Sequence, residues 1–428
     1  MTRTVSFVNE YIRRTIDAQL DELFPHLPAI LLDGPKGVGK TSTARQRAET
    51  IWELDRDEQL ALVAADPYVI GRSPRPVLVD EWQRHPPVYD TVRRLVDDDF
   101  SGRQFLLTGS APLASTHSGA GRITTLRMRP LTLPERLDLT PTISLRALLE
   151  GERSVSGECP LTLEDYVGEI VAGGFPGIRH LRGQTLNQQL DSYIDHIVSH
   201  DLPEAGLTVR RPAIIRRWLK AYAAATATTA TWETIRDAAS PGVGNKPAKT
   251  TTIPYVELLT RLRILDLLDG WAPTNNHIAT ATLAPKHHLC DPALAARLVR
   301  ASATQLLRNA DQPGGSIPRD GTFLGGLFES LAAMSVQTFA LNADARVYHL
   351  RTYGGRQEVD FIVETGDGVI GLEAKLGNTV KDSDVRHLRW LREKLGDNCI
   401  DVAVLNTGSY AFRRQDGVAV IPLGLFGP

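Results

Sequence analysis

The segment Gly34-Pro35-Lys36-Gly37-Val38-Gly39-Lys40-Thr41 fits the pattern G-x-x-x-x-G-K-[ST] in full. Its chemistry is the binding of a triphosphate. A glycine-rich bend lets successive backbone N–H groups approach phosphate oxygens with no Cβ in the way. Lys40 would reach the β- and γ-phosphates and the Thr41 hydroxyl would ligate Mg2+. Ser42 follows in a helix whose first turn adds partial positive charge. A second element strengthens this reading: Val77-Leu78-Val79-Asp80-Glu81 is an apolar run ending in two carboxylates. Asp80 suits Mg2+ held through its waters, and Glu81 suits orienting or activating the attacking water. The run QFLLTGSA carries Thr108 and Ser110. Their hydroxyls can touch the γ-phosphate or the attacking water if that strand lies between the first and the third. Arg122 opens a further strand candidate, and its guanidinium suits stabilising transition-state charge, on this chain's nucleotide or on a neighbouring subunit's. Arg127 and Arg129 compete for that role.

A second constellation comprises Glu329, Asp360, Glu373 and Lys375, spaced E-x30-D-x12-E-x-K. Strand alternation puts Glu373 and Lys375 on one face, and Asp360 on the adjacent strand can share it. Asp360 and Glu373, with or without Glu329, would then hold Mg2+. Lys375 would steady a metal-bound hydroxide or a scissile phosphate. Acids inside the apolar runs EVDFIVE and GLEAKL are costly unless paired or metal-bound, so a purely structural acid–lysine pair is the alternative. The spacing and the order helix, three strands, helix, strand over 321–428 resemble the core of PD-(D/E)xK nucleases. One departure is that Val359, not proline, precedes Asp360.

These residues need elements to position them. Over 1–140 the apolar runs AILLD, IWELD, VLVDE, QFLLTG and RITTLRMR alternate with helical stretches such as TSTARQRAET and YDTVRRLVDDDF. That alternation predicts a parallel α/β sheet covered on both faces. GPKGVGKT, VLVDEW, LTGSA and GRITTLRMRPLTLPE resemble the AAA-type ATPase domain of a widespread bacterial and archaeal group. YIRRTIDAQLDELF and LDRDEQLALVAADP fit as well. In that group the ATPase is fused to a C-terminal domain of unknown function, and GGFPGIRHL, YIDHIVSHDL and LCDPALAARLV resemble segments of it. The resemblance implies a P-loop sheet of strand order 5-1-4-3-2 and ATP hydrolysis. It supplies no cellular role.

Residues 141–205 read as a helical connector, and 206–275 change character. Three helices are expected there, in RPAIIRRWLKAYAAA, TWETIRDAA and TTIPYVELLTRLRILDLL, with ILDLLDGWAP closing as a small β-wing. Ten Lys/Arg face five Asp/Glu over 206–270, a local +5 in a chain of formal charge -2. This resembles a winged helix-turn-helix, as in the middle region of the same group, and implies double-stranded DNA as a partner. The run Thr250-Thr251-Thr252 at the start of the third helix suits phosphate contact. Packing of this fold against another protein surface is the alternative. Residues 276–320 read as a second connector, and 321–428 as the nuclease-like domain.

Composition bounds the remainder. With 428 residues, 42% hydrophobic and 23% charged, the chain is no disordered polymer, coiled coil or collagen repeat. A net charge of -2 means that any nucleic-acid surface is local. No apolar run approaches the ~20 residues of a membrane span, and MTRTVSFVNEYIRR lacks a signal-peptide core. Cys159, Cys290 and Cys399 are far apart, as befits free thiols in a reducing cytoplasm. The expectation is a cytoplasmic ATPase using ATP and Mg2+, with no membrane partner. It would act on DNA through the winged helix and nuclease-like domain, as a homo-oligomer if Arg122 works across subunits. The alternative is a nucleotide-switched scaffold or regulator that binds protein partners, its nuclease-like domain inactive.

Overall fold

The structure is a computed structural model that describes residues 11–109, 119–240, 249–273, 283–308 and 321–428. It forms two compact units, Met1–Asp33 with Gly39–Met128, and Gly34–Val38 with Arg129–Pro428.

The first unit is built on five parallel strands: β1 (Ala29–Asp33), β2 (Thr50–Glu53), β3 (Val77–Asp80), β4 (Phe105–Thr108) and β5 (Ile123–Arg127). Their order is β2-β3-β4-β1-β5, which from the other edge is the 5-1-4-3-2 implied by the resemblance. Every residue of β3 and β4 is buried, which is why these runs are apolar throughout and do not alternate. Val88, Val92 and Val96 recur every fourth residue along the helix Pro87–Asp98 and join Val77, Val79, Phe105 and Leu107 in one core. The helix after the glycine-rich bend, Lys40–Arg45, is shorter than TSTARQRAET suggested. By Arg47 the chain is already turning toward β2, and that guanidinium is fixed by Asp17 at 2.7 Å and Asp21 at 2.6 Å.

The second unit centres on a mixed eight-stranded sheet. A separate two-residue pair joins β6 (Ile143–Ser144) to β15 (Phe426–Gly427). The large sheet holds β7 (Gly157–Glu158), β8 (Gly270–Trp271), β9 (Arg346–Arg351), β10 (Glu358–Glu364), β11 (Val369–Lys375), β12 (Cys399–Asn406), β13 (Tyr410–Arg413) and β14 (Ala419–Pro422). Its order is β7-β13-β14-β12-β11-β10-β9-β8. Strands from the expected connector, the basic segment and the nuclease-like segment therefore share one sheet. The helix Gly321–Asn342 packs along it and is apolar nearly all round. Over Phe323–Asn342 it is long and apolar enough to cross a membrane by length and composition, and 78% of that window is buried inside the protein. It is the helix expected to open the 321–428 unit, and Glu329 and scattered Ser, Thr and Gln interrupt its apolar run.

The basic segment forms helices Pro212–Ala224, Trp232–Ala238 and Lys249–Arg261. Trp218 gathers Tyr222, Trp232 and Tyr255 around it with ring centroids 5.4, 6.4 and 6.1 Å away. Tyr255, Leu259 and Leu262 are buried along and just past the third helix, Leu258 is half-buried, and Leu265 is buried beyond the helix end. Beyond them the chain makes antiparallel bridges, Leu265 with Leu289 and Leu268 with Lys286, in the place of the expected wing. It then adds β8 to the edge of β9.

Candidate functional site

Register brings the candidate phosphate-site residues together. Thr108 at the end of β4 lies opposite Leu32 on β1 and opposite Asp80 on β3. The chemistry thus collects where three parallel strands end, the usual ligand edge of such a sheet. Gly37 and Gly39 in the bend have φ of 78° and 97°, left-handed values that glycine adopts without strain. Lys40 is buried. The Thr41 and Thr108 hydroxyls both donate to Asp80 Oδ1, at 2.9 and 2.5 Å. A hydroxyl and a carboxylate already in contact beside a glycine-rich bend form the donor set that Mg2+ takes with phosphate oxygens and water, so these residues fit the ion. Glu81 follows β3 in a left-handed conformation (φ 52°, ψ 43°) and accepts a hydrogen bond from Gln83 Nε2. A non-glycine residue held there is strained in the way functional sites often are. Gln83 escaped sequence analysis, because a glutamine inside a polar turn carries no spacing signal.

The other expected residues are placed as follows. Gly34, Pro35 and Val38 are buried in the bend, and Ser42 is exposed. Lys36 belongs to the second unit, where its Nζ lies 2.6 Å from Asp201 Oδ1 and its carbonyl accepts from Tyr193 Oη at 3.0 Å. Arg122 pairs with Asp97 at 2.7 Å and is partly exposed. Arg129 is buried and donates to Asp266 at 2.9 Å. Ser110 lies outside the described residues.

The C-terminal constellation is also brought together, with one addition. One position beyond the pair Phe361–Leu372, β10 and β11 set Asp360 beside Glu373. Asp360 Oδ2 accepts from Ala374 N–H at 2.9 Å, and Lys375 Nζ lies 2.7 Å from Glu373 Oε1. The addition is Lys286, whose side chain is 1% exposed. Its Nζ is 2.8 Å from Glu329 Oε1, 2.9 Å from Asp360 Oδ1 and 3.5 Å from Glu358 Oε1. Nothing in LAPKHHLC marks that lysine as a site residue, since its partners are distant in sequence. Among the described residues no group of three or more His, Cys, Asp or Glu side chains is disposed to hold a metal ion. The donor set expected for Mg2+ is taken up by two ammonium groups, so in this arrangement the residues do not fit the metal.

Burial would strip the proton from Lys286, but Asp360, Glu329 and Glu358 outweigh it and raise its pKa. Burial would protonate Asp360, but Lys286, Lys375 and the Ala374 N–H keep it below its ordinary value. Burial together with the Asp360 charge pushes Glu329 and Glu373 up to about 8 each. Burial, then the Lys286 charge, lowers His288 to about 3 and His349 to about 4.

These shifts give a pH dependence. A carboxyl raised from 4.5 to about 8 stabilises the fold fully below pH 4.5, and that contribution is lost as pH rises through 8. A histidine lowered from 6.5 contributes stability above pH 6.5 that is lost as pH falls toward its folded value. Between pH 4.5 and 6.5 the two pairs oppose each other; above 6.5 only the carboxyls titrate. Urea midpoints are expected to fall from pH 6.5 to 8, and Glu373→Gln should shallow that fall. An unchanged slope in the variant would show that Glu373 is already ionised at neutral pH.

Residues 26–137 match the AAA domain family. Residues 163–305 match a domain of unknown function, DUF8612, and residues 324–426 match another, DUF4143. The chain is 25% identical over 422 residues to the uncharacterized protein Rv2008c of Mycobacterium tuberculosis and equally to the uncharacterized protein Mb2031c of Mycobacterium bovis. Each alignment spans 96% of this chain and 83% of the relative. The crystal structure of protein VC1899 from Vibrio cholerae aligns over 92% of this chain and 94% of its own at 12% identity, with a TM-score of 0.17, too low to carry an inference about fold. The chain thus carries an AAA-type nucleotide-binding domain followed by domains of unknown function.

Proposed function

We propose that the chain is a Mg2+-dependent ATP hydrolase whose nucleotide cycle controls engagement of double-stranded DNA by its C-terminal part. The observation that carries the first half is the contact of Thr41 and Thr108 with one oxygen of Asp80 beside the glycine-rich bend. Mg2+ there would neutralise developing phosphate charge. The chain's own residues do the rest. Lys40 binds the phosphates, Glu81 takes a proton from the attacking water, and Gln83 holds the Glu81 carboxylate in its strained turn. Arg122, partly exposed and tied only to Asp97 and a local carbonyl among the contacts described, suits action on a second copy's nucleotide.

For DNA, support comes from Arg210, Arg211, Arg216, Arg217 and Lys220, all exposed on and just before one helix. A second reading is favoured by Lys286: the nuclease-like unit binds and signals but does not cut. ATPase rates with and without single- and double-stranded DNA test the proposal. Double-stranded DNA is expected to stimulate the wild type, and Arg216→Ala/Arg217→Ala/Lys220→Ala to remove the stimulation while keeping the basal rate. If the triple variant is stimulated like wild type, this face is not the DNA surface. Plasmid nicking with Mg2+ separates the two readings, since cutting lost in Asp360→Ala would restore the nuclease.

A further inference from the structure

We propose that Lys286 is a built-in cation that stands where a divalent metal would stand among Glu329, Glu358 and Asp360, and so keeps the nuclease-like constellation metal-free. A lysine ammonium has three N–H donors and no acceptor. Here it meets carboxyl oxygens of Glu329 and Asp360 within 2.9 Å and of Glu358 at 3.5 Å, almost wholly out of water. The other oxygen of Asp360 is engaged by the Ala374 N–H, and Glu373 is held by Lys375. Each acid that a metal would need therefore already has a partner.

The lysine is held from both backbone sides. Lys286 N–H donates to Leu268 O at 2.8 Å, and Leu268 N–H donates to Lys286 O at 3.0 Å. The bridged segment thus carries the cation into the carboxylates as a fixed part. Two buried histidines lie within reach of the same charges. His288 and His349 are 1% and 2% exposed, both feel the charges of Lys286 and Asp360, and both keep ring nitrogens with no hydrogen-bond partner: Nδ1 and Nε2 of His288 and Nδ1 of His349. Buried neutral imidazole nitrogens without partners are rare in proteins and are good ligands for a transition-metal ion. An ammonium that already fills the space among these carboxyl groups is one with which a divalent ion must compete.

The inference deepens the second reading above and rests on it for what the site is spared from doing. Its test reads the site and not DNA cleavage, so the two can fail separately. Mn2+ binding to the full chain is followed by electron paramagnetic resonance without nucleotide, in an Asp80→Asn background that silences the phosphate site. The background protein is expected to bind Mn2+ weakly. Adding Lys286→Met should create one site at least about tenfold tighter, a change of about 1.4 kcal/mol, and adding Asp360→Asn should remove it. If Lys286→Met does not fold alone, Mn2+ should restore its cooperative unfolding transition. The proposal is overturned if the background protein binds Mn2+ as tightly as the Lys286→Met protein. It is equally overturned if Lys286→Met neither binds Mn2+ nor is restored by it.

Discussion

Glu81→Gln is expected to bind ATP like the wild type and to hydrolyse it at least about 100-fold more slowly, the scale of a lost general base. Lys40→Ala is expected to bind ATP ~10- to 100-fold more weakly, the scale of a lost hydrogen bond to a charged group. The contrast follows from where the two residues sit. Lys40 opens the helix after the bend, where the proposed function puts the phosphates. Glu81 lies one residue past β3, in a left-handed turn that costs about 1–3 kcal/mol for a residue with a side chain. The protein tolerates that cost while holding the carboxylate through Gln83. Gln83→Ala should then lower the turnover rate with little change in affinity, because it removes one hydrogen bond that orients the base without touching the phosphates. Fluorescent-nucleotide binding beside single-turnover hydrolysis separates the three variants. Wild-type turnover by Glu81→Gln would remove Glu81 from the mechanism.

How far the sequence could be read depended on whether each residue's partners were near in sequence or recurred in a known spacing. The bend 34–41 and the strand ending in Asp80 are local patterns, and a parallel sheet places their ends together whatever the loops do. Glu373 and Lys375 are two apart on one strand, so strand alternation alone pairs them. Lys286 has no such pattern. Its three partners come from a helix and a strand 43 to 74 positions away, and only the fold reveals that the segment 283–289 runs past them. The wing expected in ILDLLDGWAP found a different partner for a related reason. β8 is two residues long, and it becomes a strand only because β9 offers it an edge. Propensity cannot forecast pairing between segments that lie so far apart in the chain.

Asp291→Ala is expected to be the most destabilising single substitution in the second unit. GGFPGIRHL and LCDPALAARLV read as separate segments in the sequence, and Asp291 is what joins them. It is fully buried. Its Oδ2 accepts from Gly174 N–H at 2.6 Å, its Oδ1 caps the helix Pro292–Leu298 through Ala293 N–H at 2.9 Å, and Arg136 Nη2 lies 3.7 Å away. The fit leaves no slack. A Cβ on Gly174 would come within 2.5 Å of Leu131 O and 2.6 Å of Arg136 Nη2, and Gly173 sits at φ 74° with Ala293 Cβ 2.9 Å from where its own Cβ would be. Removing the carboxylate leaves two backbone N–H groups without their acceptor and takes one of the two acids, Asp291 and Glu169, from the fully buried Arg136 guanidinium. Breaking a buried pair from one side costs about 3–5 kcal/mol, and the lost helix cap adds about 1 more. Against the ~5–15 kcal/mol that holds a typical domain together, such a loss would lower Tm by roughly 6–9 °C for a unit of this size. Asp291→Asn keeps an acceptor for one N–H but loses the charge that faces Arg136, so its loss should be smaller. Circular-dichroism melts of both variants check the order. If Asp291→Ala melts within a few degrees of wild type, the two segments are held together by their apolar packing and the buried carboxylate is not what joins them.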